Sequence, residues 1–300
     1  MEVKSPIVNV LISTYNGEKY IKEQLDSIFN QSYDNISIYV RDDGSTDSTL
    51  DIVNDYISKG KSVRLIPGEN IGFGKSFMSL LKIADDGDYW AFCDQDDVWY
   101  EDKIKWAVEY LETQDYSRPL MYHSSYLLAD ENLENGTKSN LWNQNYTFAK
   151  SLTEVIHMGF SCVINSEMRD LMLRAEIENI SSHDHWAELL AVKYGRIYED
   201  DRVASIHRRL TESQSSSSLY ARFRWLKGAM KGKSEILPVA KEYCRVFADN
   251  RDKDWYIANL FVSDRYSITK SLKKALYPHR WRSSISSEIV LRTLMLIGKV

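Results

Sequence analysis

Hydrophobic residues along the first hundred positions follow two alternating periodicities. Four short apolar runs are typical of buried strands: 8–12, 36–40, 63–66 and 89–93. Each is followed by apolar residues at helical spacing: Ile21, Leu25 and Ile28; Leu50, Val53 and Ile57; Phe77, Leu80 and Leu81; Ile104, Ala107, Val108 and Leu111. Strands that alternate with helices predict an α/β fold, with a mostly parallel sheet and helices on both faces.

The pattern beyond residue 115 is less regular. The predicted elements are strands at 119–130, 159–165 and 196–207, helices at 167–175 and 183–194, and a polar loop at 130–150. From about residue 215 the chain is predicted to be helical. We place a domain boundary at residue 210, between a sheet-forming domain (1–210) and a helical C-terminal region (211–300).

The composition limits the partners that the chain can bind. It has 300 residues, of which 43% are hydrophobic, and a formal net charge of −5. This charge excludes general nucleic-acid binding, which needs a broad basic surface. The charge is also uneven, because residues 270–300 hold seven Lys and Arg against one acid, Glu288. We therefore expect an acidic body with a basic tail.

Cysteines and the N-terminal residues indicate the compartment. Cys93, Cys162 and Cys244 lack paired spacing, and the first two lie in apolar runs, so we expect buried free thiols in a reducing environment. The N-terminal residues lack a signal-peptide pattern, and no apolar stretch is long enough to span a membrane. We expect a cytoplasmic protein.

Three polar segments follow predicted strands. They are "STYNG" after the first strand, "RDDGSTD" after the second and "CDQDD" after the fourth. In parallel sheets, ligands bind beyond the carboxyl ends of the strands. We therefore expect the three segments to converge into one site.

The segment "RDDGSTDST" has two interpretations. Gly44 and the hydroxyl and acidic residues after it suit a tight turn and a helix cap. Asp42 and Asp43 precede that cap, and a carboxylate there could accept hydrogen bonds from a nucleotide base or a ribose hydroxyl. Both interpretations stay open on the residues alone.

The segment "CDQDD" places Asp94, Asp96 and Asp97 within four positions. It could be a solvated acidic turn. A calcium loop is a poor match, because Trp99 stands where that loop needs glycine. Mg²⁺ or Mn²⁺ prefers a few carboxylates together with phosphate oxygens, so the chemistry favours a metal–diphosphate site.

The segment "SSHDHW" precedes a predicted helix. Asp184 could be its N-cap, or a carboxylate that acts as a general base. The flanking histidines, His183 and His185, could ligate a metal, but no Cys or His spacing supports a zinc site.

Taken together and in order, "VLISTYNGEKYIKEQLDSIFNQSY", "RDDGSTDST", "FCDQDDVW" and "HDHW" resemble one family. The chain resembles the family 2 glycosyltransferases of the GT-A fold, and within them the bacterial rhamnosyltransferase-type enzymes of cell-wall and capsular polysaccharide synthesis. The resemblance is dense over 6–110 and fair over 120–207. It implies that residues 1–210 form the nucleotide-sugar-binding and catalytic domain.

The resemblance implies a role for each matched position. The implied nucleotide-binding residues are Thr14, Tyr15, Asn16, Asp42, Asp43, Asn70, Gly72, Lys75, Asp94 and Gln95. The implied metal-binding residues are Asp94, Asp96 and Asp97, and the implied general base is Asp184. Residues expected on the acceptor or diphosphate side are Gly159, His185, Trp186, His207 and Arg208.

The implied reaction is an inverting transfer from a nucleotide-diphosphate sugar, for which we expect dTDP-rhamnose, to a glycan acceptor that is lipid-linked or protein-linked. The implied cofactor is Mn²⁺ or Mg²⁺. A UDP-hexose donor and a catalytically silent nucleotide-sugar-binding module are the alternatives. A nucleotidyltransferase or kinase is disfavoured, because the sequence has no Gly-rich phosphate-binding loop that ends in Gly-Lys-Ser or Gly-Lys-Thr.

One position departs from the family pattern. Related enzymes often carry a histidine shortly after the last strand, whereas "IHRRLTES" places Leu210 there. His207 or Arg208 could compensate through the diphosphate. The departure leaves the third metal ligand, and a strict need for metal, open.

The tail gives a separate hypothesis. Residues 270–300 combine basic side chains with Trp281 and a predicted helix that carries these apolar residues: Ile289, Val290, Leu294 and Ile297. Such a segment suits peripheral contact with an anionic membrane on its inner face. The alternative is a helix that packs on the protein itself or on a second subunit of a homodimer.

Overall fold

The computed structural model describes residues 5–84, 86–139, 146–209, 236–263 and 266–300. Nine strands in these ranges form one sheet: β1 Val8–Thr14, β2 Ile36–Asp42, β3 Val63–Pro67, β4 Tyr89–Asp94, β5 Val98–Trp99, β6 Leu120–Ala129, β7 Thr137–Lys138, β8 Cys162–Asn165 and β9 Arg196–Arg208. Their order is β3-β2-β1-β4-β8-β6-β9-β5, and β7 pairs with β6.

The helices of the described ranges cover both faces of the sheet. They are α1 Ile21–Phe29, α2 Thr49–Ser58, α3 Phe73–Ile83, α4 Lys103–Leu111, α5 Phe148–Ser151, α6 Ser166–Met172, α7 His183–Tyr194, α8 Ile236–Val246, α9 Lys253–Asn259, α10 Ile268–Ala275 and α11 Ile285–Leu296. Short 3₁₀ turns lie at Gly159–Ser161 and Ile177–Asn179. The predicted α/β architecture is confirmed.

Parallel pairing brings three strand ends to one edge of the sheet. The strands β3, β2, β1 and β4 are parallel, and Ser13 pairs with both Arg41 and Asp94. The strands β6 and β9 are also parallel, whereas β8 is antiparallel to β4 and β6, and β5 is antiparallel to β9. The predicted parallel pairing is therefore found among β1, β2, β3 and β4, three of which end in the polar segments.

Alternation along β1 builds a core on each face. Val10 and Ile12 pack with α1, α2 and α4, whereas Leu11 faces α3 and the hydrophobic cluster around α7. That second cluster also contains Tyr243 of α8 and Trp281, so the C-terminal helices share a core with the sheet domain. The boundary at residue 210 stays a prediction, because it falls outside the described ranges.

Two local expectations are corrected. In α2 the buried residues are Thr49, Val53 and Tyr56, while Ile57 is exposed. Tyr56 takes the inward position because its ring stacks on Phe29 at 5.5 Å between centroids. The predicted strand at 159–165 begins only at Cys162, after a 3₁₀ turn. The three cysteines are free and buried, as expected.

The tail packs on the protein through a face that differs from the expected one. Trp281 and Leu294 are buried in the core, which removes them from any membrane contact, whereas Ile289 and Ile297 are exposed. No helix in the part of the chain that the structure describes has the length and apolar character needed to cross a bilayer.

Candidate active site

Asp42 organises the turn after β2. Its Oδ1 accepts a hydrogen bond from the Thr14 hydroxyl at 3.0 Å, and its Oδ2 accepts from the backbone N–H groups of Gly44 at 3.1 Å and Ser45 at 2.8 Å. Gly44 has a φ of 83°, a left-handed conformation that glycine adopts without strain. The turn is therefore confirmed, and Asp42 links the ends of β1 and β2. The expected cap is not, because the N-cap of α2 is Ser48, whose side chain makes no capping hydrogen bond.

Asp43 fixes the loop that precedes α3. It is buried, forms an ion pair with Arg41, and accepts hydrogen bonds from the backbone N–H groups of Ile71 and Gly72, both at 2.9 Å. Asn70 lies in the same loop, and its backbone nitrogen approaches Gly44. A nucleotide contact by Asp43 stays a prediction, but its carboxylate already shapes the loop that would line a nucleotide.

Gln95 ties the end of β4 to the loop after β1. Its Oε1 accepts a hydrogen bond from the Tyr15 N–H at 2.9 Å, and its Nε2 donates to the Tyr15 carbonyl at 3.1 Å. Asn16, with a φ of 47°, accepts from the Thr46 N–H at 2.9 Å. The segments after β1, β2 and β4 thus meet at one edge, as the sequence predicted.

The acidic cluster consists of Asp94, Asp97 and His207. One potential ligand atom from each lies within 4.8 Å of the others. His207 Nδ1 and Asp97 Oδ1 are 2.8 Å apart, while Asp97 Oδ2 is buried and has no hydrogen-bond partner among the described residues. Two carboxylates, an imidazole and a buried oxygen without a partner fit a divalent cation that also binds phosphate.

This cluster differs in part from the expected metal site. Asp94 and Asp97 belong to it, whereas the carboxylate of Asp96 lies outside it. His207 supplies the imidazole that the sequence led us to seek at Leu210, a position outside the described ranges. Strand β9 makes this possible, because it runs beside β6 and carries His207 back to the edge where β4 ends.

The electrostatics of the cluster favour a bound cation. Burial, followed by the charges of Asp97 and Asp96, raises the pKa of Asp94 well above its ordinary value. Burial and the charge of Asp97 raise the pKa of Asp96 to about 6. Burial opposes a charge on His207, but Asp97 outweighs it and raises the pKa of the imidazole to about 9. Positive charge is therefore stabilised here and negative charge is not.

Arg208 is committed to the protein and does not face the acidic cluster with a free guanidinium. Its Nε donates to the Asp96 carbonyl at 3.0 Å, its Nη2 to Glu23 Oε2 at 2.5 Å, and the group lies over the Tyr20 ring at 4.6 Å. The expected pairing of Arg208 with a diphosphate is therefore not supported by this arrangement.

Phe160 and Lys103, which the sequence did not single out, lie behind His207: Phe160 contacts its ring and Lys103 contacts Phe160. The Phe160 ring stacks on the imidazole at 4.3 Å between centroids, and the Phe160 carbonyl accepts a hydrogen bond from Lys103 Nζ at 3.1 Å. Lys103 is fully buried, and burial lowers its pKa to about 8. No sequence signal marks it, since a lysine in the first turn of a helix is usually exposed.

Asp184 lies in the first turn of α7. Ser182, and not Asp184, is the N-cap, because its side chain accepts from the His185 N–H. Asp184 Oδ1 accepts from the same N–H at 2.9 Å and from the Ser182 hydroxyl. Its negative charge also contributes, after burial and the charges of Asp97 and Asp96, to the raised pKa of Asp94.

Gly159 brings the 3₁₀ turn against His183 and Asp184. A β-carbon at this position would overlap Nε2 of His183 and lie 3.4 Å from the β-carbon of Asp184. The His183 ring is held between Phe77 and Phe92, with centroid distances of 4.1 and 4.7 Å. Burial lowers the pKa of His183 to about 4, which suits a neutral packing residue and not a charged one. His183 thus helps to fix the position of Asp184 through packing, and not through charge.

Three expected residues are not brought into this group. His185 is buried with Nε2 2.8 Å from the Ser151 carbonyl, and Trp186 is buried with its indole N–H on the Met172 carbonyl. Both face the core because α7 is enclosed on nearly every side. Lys75 pairs with Glu178 at 2.9 Å on the outer side of α3.

The comparisons with known proteins agree with this geometry. The sequence model of the family described as glycosyl transferase family 2 matches residues 9–169, which is more than half of the chain. The chain belongs to glycosyl transferase family 2. The resemblance found in the motifs is thereby confirmed.

Curated relatives of this glycosyltransferase match over a third of its length. The dTDP-rhamnosyl transferase RfbG of Shigella flexneri is 46% identical over 105 residues, which are 33% of this chain and 36% of the relative. An uncharacterized glycosyltransferase of Haemophilus influenzae is 38% identical over 112 residues, which are 37% of this chain and 34% of the relative. The match thus spans about a third of the length of each relative.

Solved structures resemble this glycosyltransferase over almost all of its length. TarS 1-349 from S. aureus in complex with UDP-GlcNAc has a TM-score of 0.59 at 18% identity, covering 98% of this chain and 89% of that chain. The mannosyltransferase PcManGT from Pyrobaculum calidifontis, in complex with GDP-Man and Mn2+, has a TM-score of 0.57 at 16% identity, with coverages of 99% and 86%. The predicted GT-A fold is confirmed.

Proposed function

We propose that this glycosyltransferase is an inverting enzyme that moves a sugar from a nucleotide-diphosphate sugar to a glycan hydroxyl in surface polysaccharide synthesis. The observation that carries the proposal is the grouping of Asp94, Asp97 and His207 into one acidic cluster, with Asp184 as a separate carboxylate in the first turn of α7. An inverting displacement needs these two parts, a base for the acceptor and a clamp for the leaving group.

We propose dTDP-rhamnose as the first donor to test. The support is the local identity of 46% with a protein named dTDP-rhamnosyl transferase, which covers a third of the chain. UDP-hexoses are the alternative, because one structure of similar fold is a complex with UDP-GlcNAc. The loops tied together by Asp42, Asp43 and Gln95 form the side of the edge where the nucleotide would lie.

A divalent cation, Mn²⁺ or Mg²⁺, is part of the proposal. Asp94, Asp97 and His207 would hold it, since their ligand atoms are grouped and one oxygen of Asp97 has no protein partner among the described residues. When bound, such an ion offsets the charge that develops on a leaving diphosphate. Phe160 stacks on the His207 ring and so fixes the orientation of this ligand.

Asp184 would act on the acceptor. As the bond between the anomeric carbon and the diphosphate oxygen breaks, the acceptor oxygen bonds to the opposite face of that carbon, and its proton passes to Asp184. The hydrogen bonds from the His185 N–H and the Ser182 hydroxyl hold the carboxylate in place. Gly159 would let the acceptor side come close to this group.

The acceptor would be a lipid-linked or protein-linked glycan, with the enzyme in the cytoplasm, peripheral to the inner face of the membrane. The proposed partners do not include nucleic acid. A homodimer is a further arrangement that measurement in solution would reveal.

A donor screen tests the proposal. Thermal unfolding would be followed with dTDP-rhamnose, UDP-hexoses and GDP-mannose, each with and without Mn²⁺, because a ligand that binds the native state raises its stability by RT ln(1 + [L]/Kd). We expect dTDP-rhamnose with Mn²⁺ to give the largest shift, and the same donor to support sugar transfer to a glycan. Stabilisation without any transfer would favour the silent binding module, and no shift with any donor would refute nucleotide-sugar binding.

A further inference from the structure

The two C-terminal helices α10 and α11 pack against each other and each presents apolar side chains to solvent. Ile268, Leu272 and Leu276 recur every four residues along and just beyond α10, so they share one face. Two hydrogen bonds join the helices: the Tyr266 hydroxyl donates to the Leu296 carbonyl at 2.9 Å, and Arg292 donates to the Ala275 carbonyl at 2.6 Å.

Helix α11 adds a second exposed apolar face. Ile285, Ile289 and Leu296 are exposed on it, while Leu291 and Met295 on the other side are buried in the core. We call these three residues and the three of the α10 segment the C-terminal apolar surface; its six side chains are 46–76% exposed. Among the Ile and Leu residues described outside 266–300, only Ile57 is exposed. So many exposed aliphatic side chains within residues 266–300, on two helices that pack together, indicate a binding surface.

Residues 266–300 carry mostly positive charge, although Glu154 from outside them accepts a hydrogen bond from the Ser283 N–H at 2.7 Å. Residues 266–300 contain seven Lys and Arg and a single acid, Glu288. That acid is buried, and it accepts hydrogen bonds from the Trp281 N–H at 2.9 Å and from Arg292 Nε at 2.6 Å. Lys273 and Lys299 are exposed beside the apolar residues. Within these residues the surface therefore shows cations and no exposed carboxylate.

We propose that the C-terminal apolar surface docks on an anionic lipid bilayer. Aliphatic side chains would enter the boundary between headgroups and acyl chains, while the surrounding lysines and arginines attract the anionic headgroups. A second copy of the chain fits less well, since a two-fold contact would set this positive surface against itself. The surface differs from the one that the sequence indicated, because Trp281 and Leu294 are buried and α10 supplies half of the aliphatic residues.

Vesicle co-sedimentation of the full chain tests this proposal. The proposal rests on the proposed function, because it names the membrane surface at which that function would take place. The assay needs no sugar donor, so a failure of membrane binding can be distinguished from a failure of the proposed function. Vesicles containing phosphatidylglycerol are compared with pure phosphatidylcholine. We expect binding to the anionic vesicles that weakens as salt is raised. The double variant Ile285→Ser/Ile289→Ser should lose at least about tenfold in partitioning, because both side chains would otherwise leave water.

Two further variants sharpen the test. Lys273→Gln and Lys299→Gln should each weaken binding to anionic vesicles by about fivefold. Ile57→Ser, the matched control on α2, should bind like the wild type, and all variants should keep their nucleotide-sugar stabilisation. Absence of wild-type binding, or an Ile285→Ser/Ile289→Ser variant that binds normally, overturns the proposal. So does a wild-type dimer in sedimentation velocity that this double variant converts to a monomer, since a second copy would then cover the surface.

Discussion

Gly159→Ala perturbs the contact between the 3₁₀ turn at Gly159–Ser161 and the start of α7, where the proposed base Asp184 lies. The added β-carbon would overlap His183 Nε2 and lie 3.0 Å from its Cε1. Carbon atoms in contact settle at about 3.5–4.0 Å, so the ring must retreat by at least half an ångström. The ring cannot easily do so, because Phe77 and Phe92 pack against it at 4.1 and 4.7 Å between centroids. We therefore expect the 3₁₀ turn and the start of α7 to separate.

The size of the effect follows from this geometry. Overpacking of a filled core costs about 1–3 kcal/mol. That corresponds to roughly 1.6 °C in melting temperature for each kcal/mol in a chain of 300 residues. Asp184 is the residue next to His183, and a displacement of about 1 Å at a catalytic group lowers the rate about a hundredfold. We expect kcat to fall by about that factor, while donor stabilisation of the folded protein changes little.

Thermal unfolding and steady-state transfer kinetics measure both effects. Gly136→Ala is the matched control, because its β-carbon would lie 3.3 Å from Cδ1 at the flexible end of Leu127, a partly buried residue of β6. Combining Gly159→Ala with His183→Ala removes the overlap, and a double-mutant cycle should then show coupling between the two sites. If Gly159→Ala keeps the wild-type kcat and melting temperature, the mechanical support of Asp184 by His183 is wrong.

Two other predictions concern buried charges. Asp97→Asn should weaken Mn²⁺-dependent binding of a nucleoside diphosphate about tenfold or more, and Asp96→Asn should weaken it less, because of these two residues only Asp97 belongs to the acidic cluster. Calorimetry with and without Mn²⁺ measures both affinities. A larger loss in Asp96→Asn than in Asp97→Asn would contradict the assignment. Burial opposes a charge on His157, but its hydrogen bonds to Glu188 and Glu199 outweigh it and raise its pKa from 6.5 to about 9. The stability that this raised pKa contributes is present below pH 6.5 and is lost as the pH rises through about 9, by up to about 3 kcal/mol. In urea unfolding at a series of pH values, His157→Gln should therefore reduce the fall in the free energy of unfolding between pH 6.5 and 9. The reduction should be partial, since His207 acts with the same sign, and an unchanged fall would refute the prediction.

The sequence predicted the sheet edge because the information there is local. Each apolar run ends in a polar segment, and parallel pairing then brings Thr14, Asp42 and Asp94 together without further assumptions. The choice between Asp96 and Asp97 was not predictable. It depends on how the turn after β4 aims each carboxylate and on where β9 delivers His207.

Long-range packing explains the remaining differences. The register between β6 and β9 shifts near Ser124 and Ser125, and a shift of this kind cannot be read from either strand alone. His185 and Trp186 resembled site residues because they follow Asp184 directly, but their side chains are buried in the core, whereas that of Asp184 in the same turn is not. Trp281 was assigned to the surface because its neighbours are basic, whereas its ring fills the core.

The assignment of Asp184 as the base is the central claim, and Asp184→Asn tests it most directly. The amide keeps the size of the side chain and can still accept the hydrogen bond from the His185 N–H, so the fold and the donor site should stay intact. We predict that donor-induced stabilisation with Mn²⁺ is retained while sugar transfer falls by about two to four orders of magnitude. Transfer at the wild-type rate by a folded Asp184→Asn variant would contradict the account.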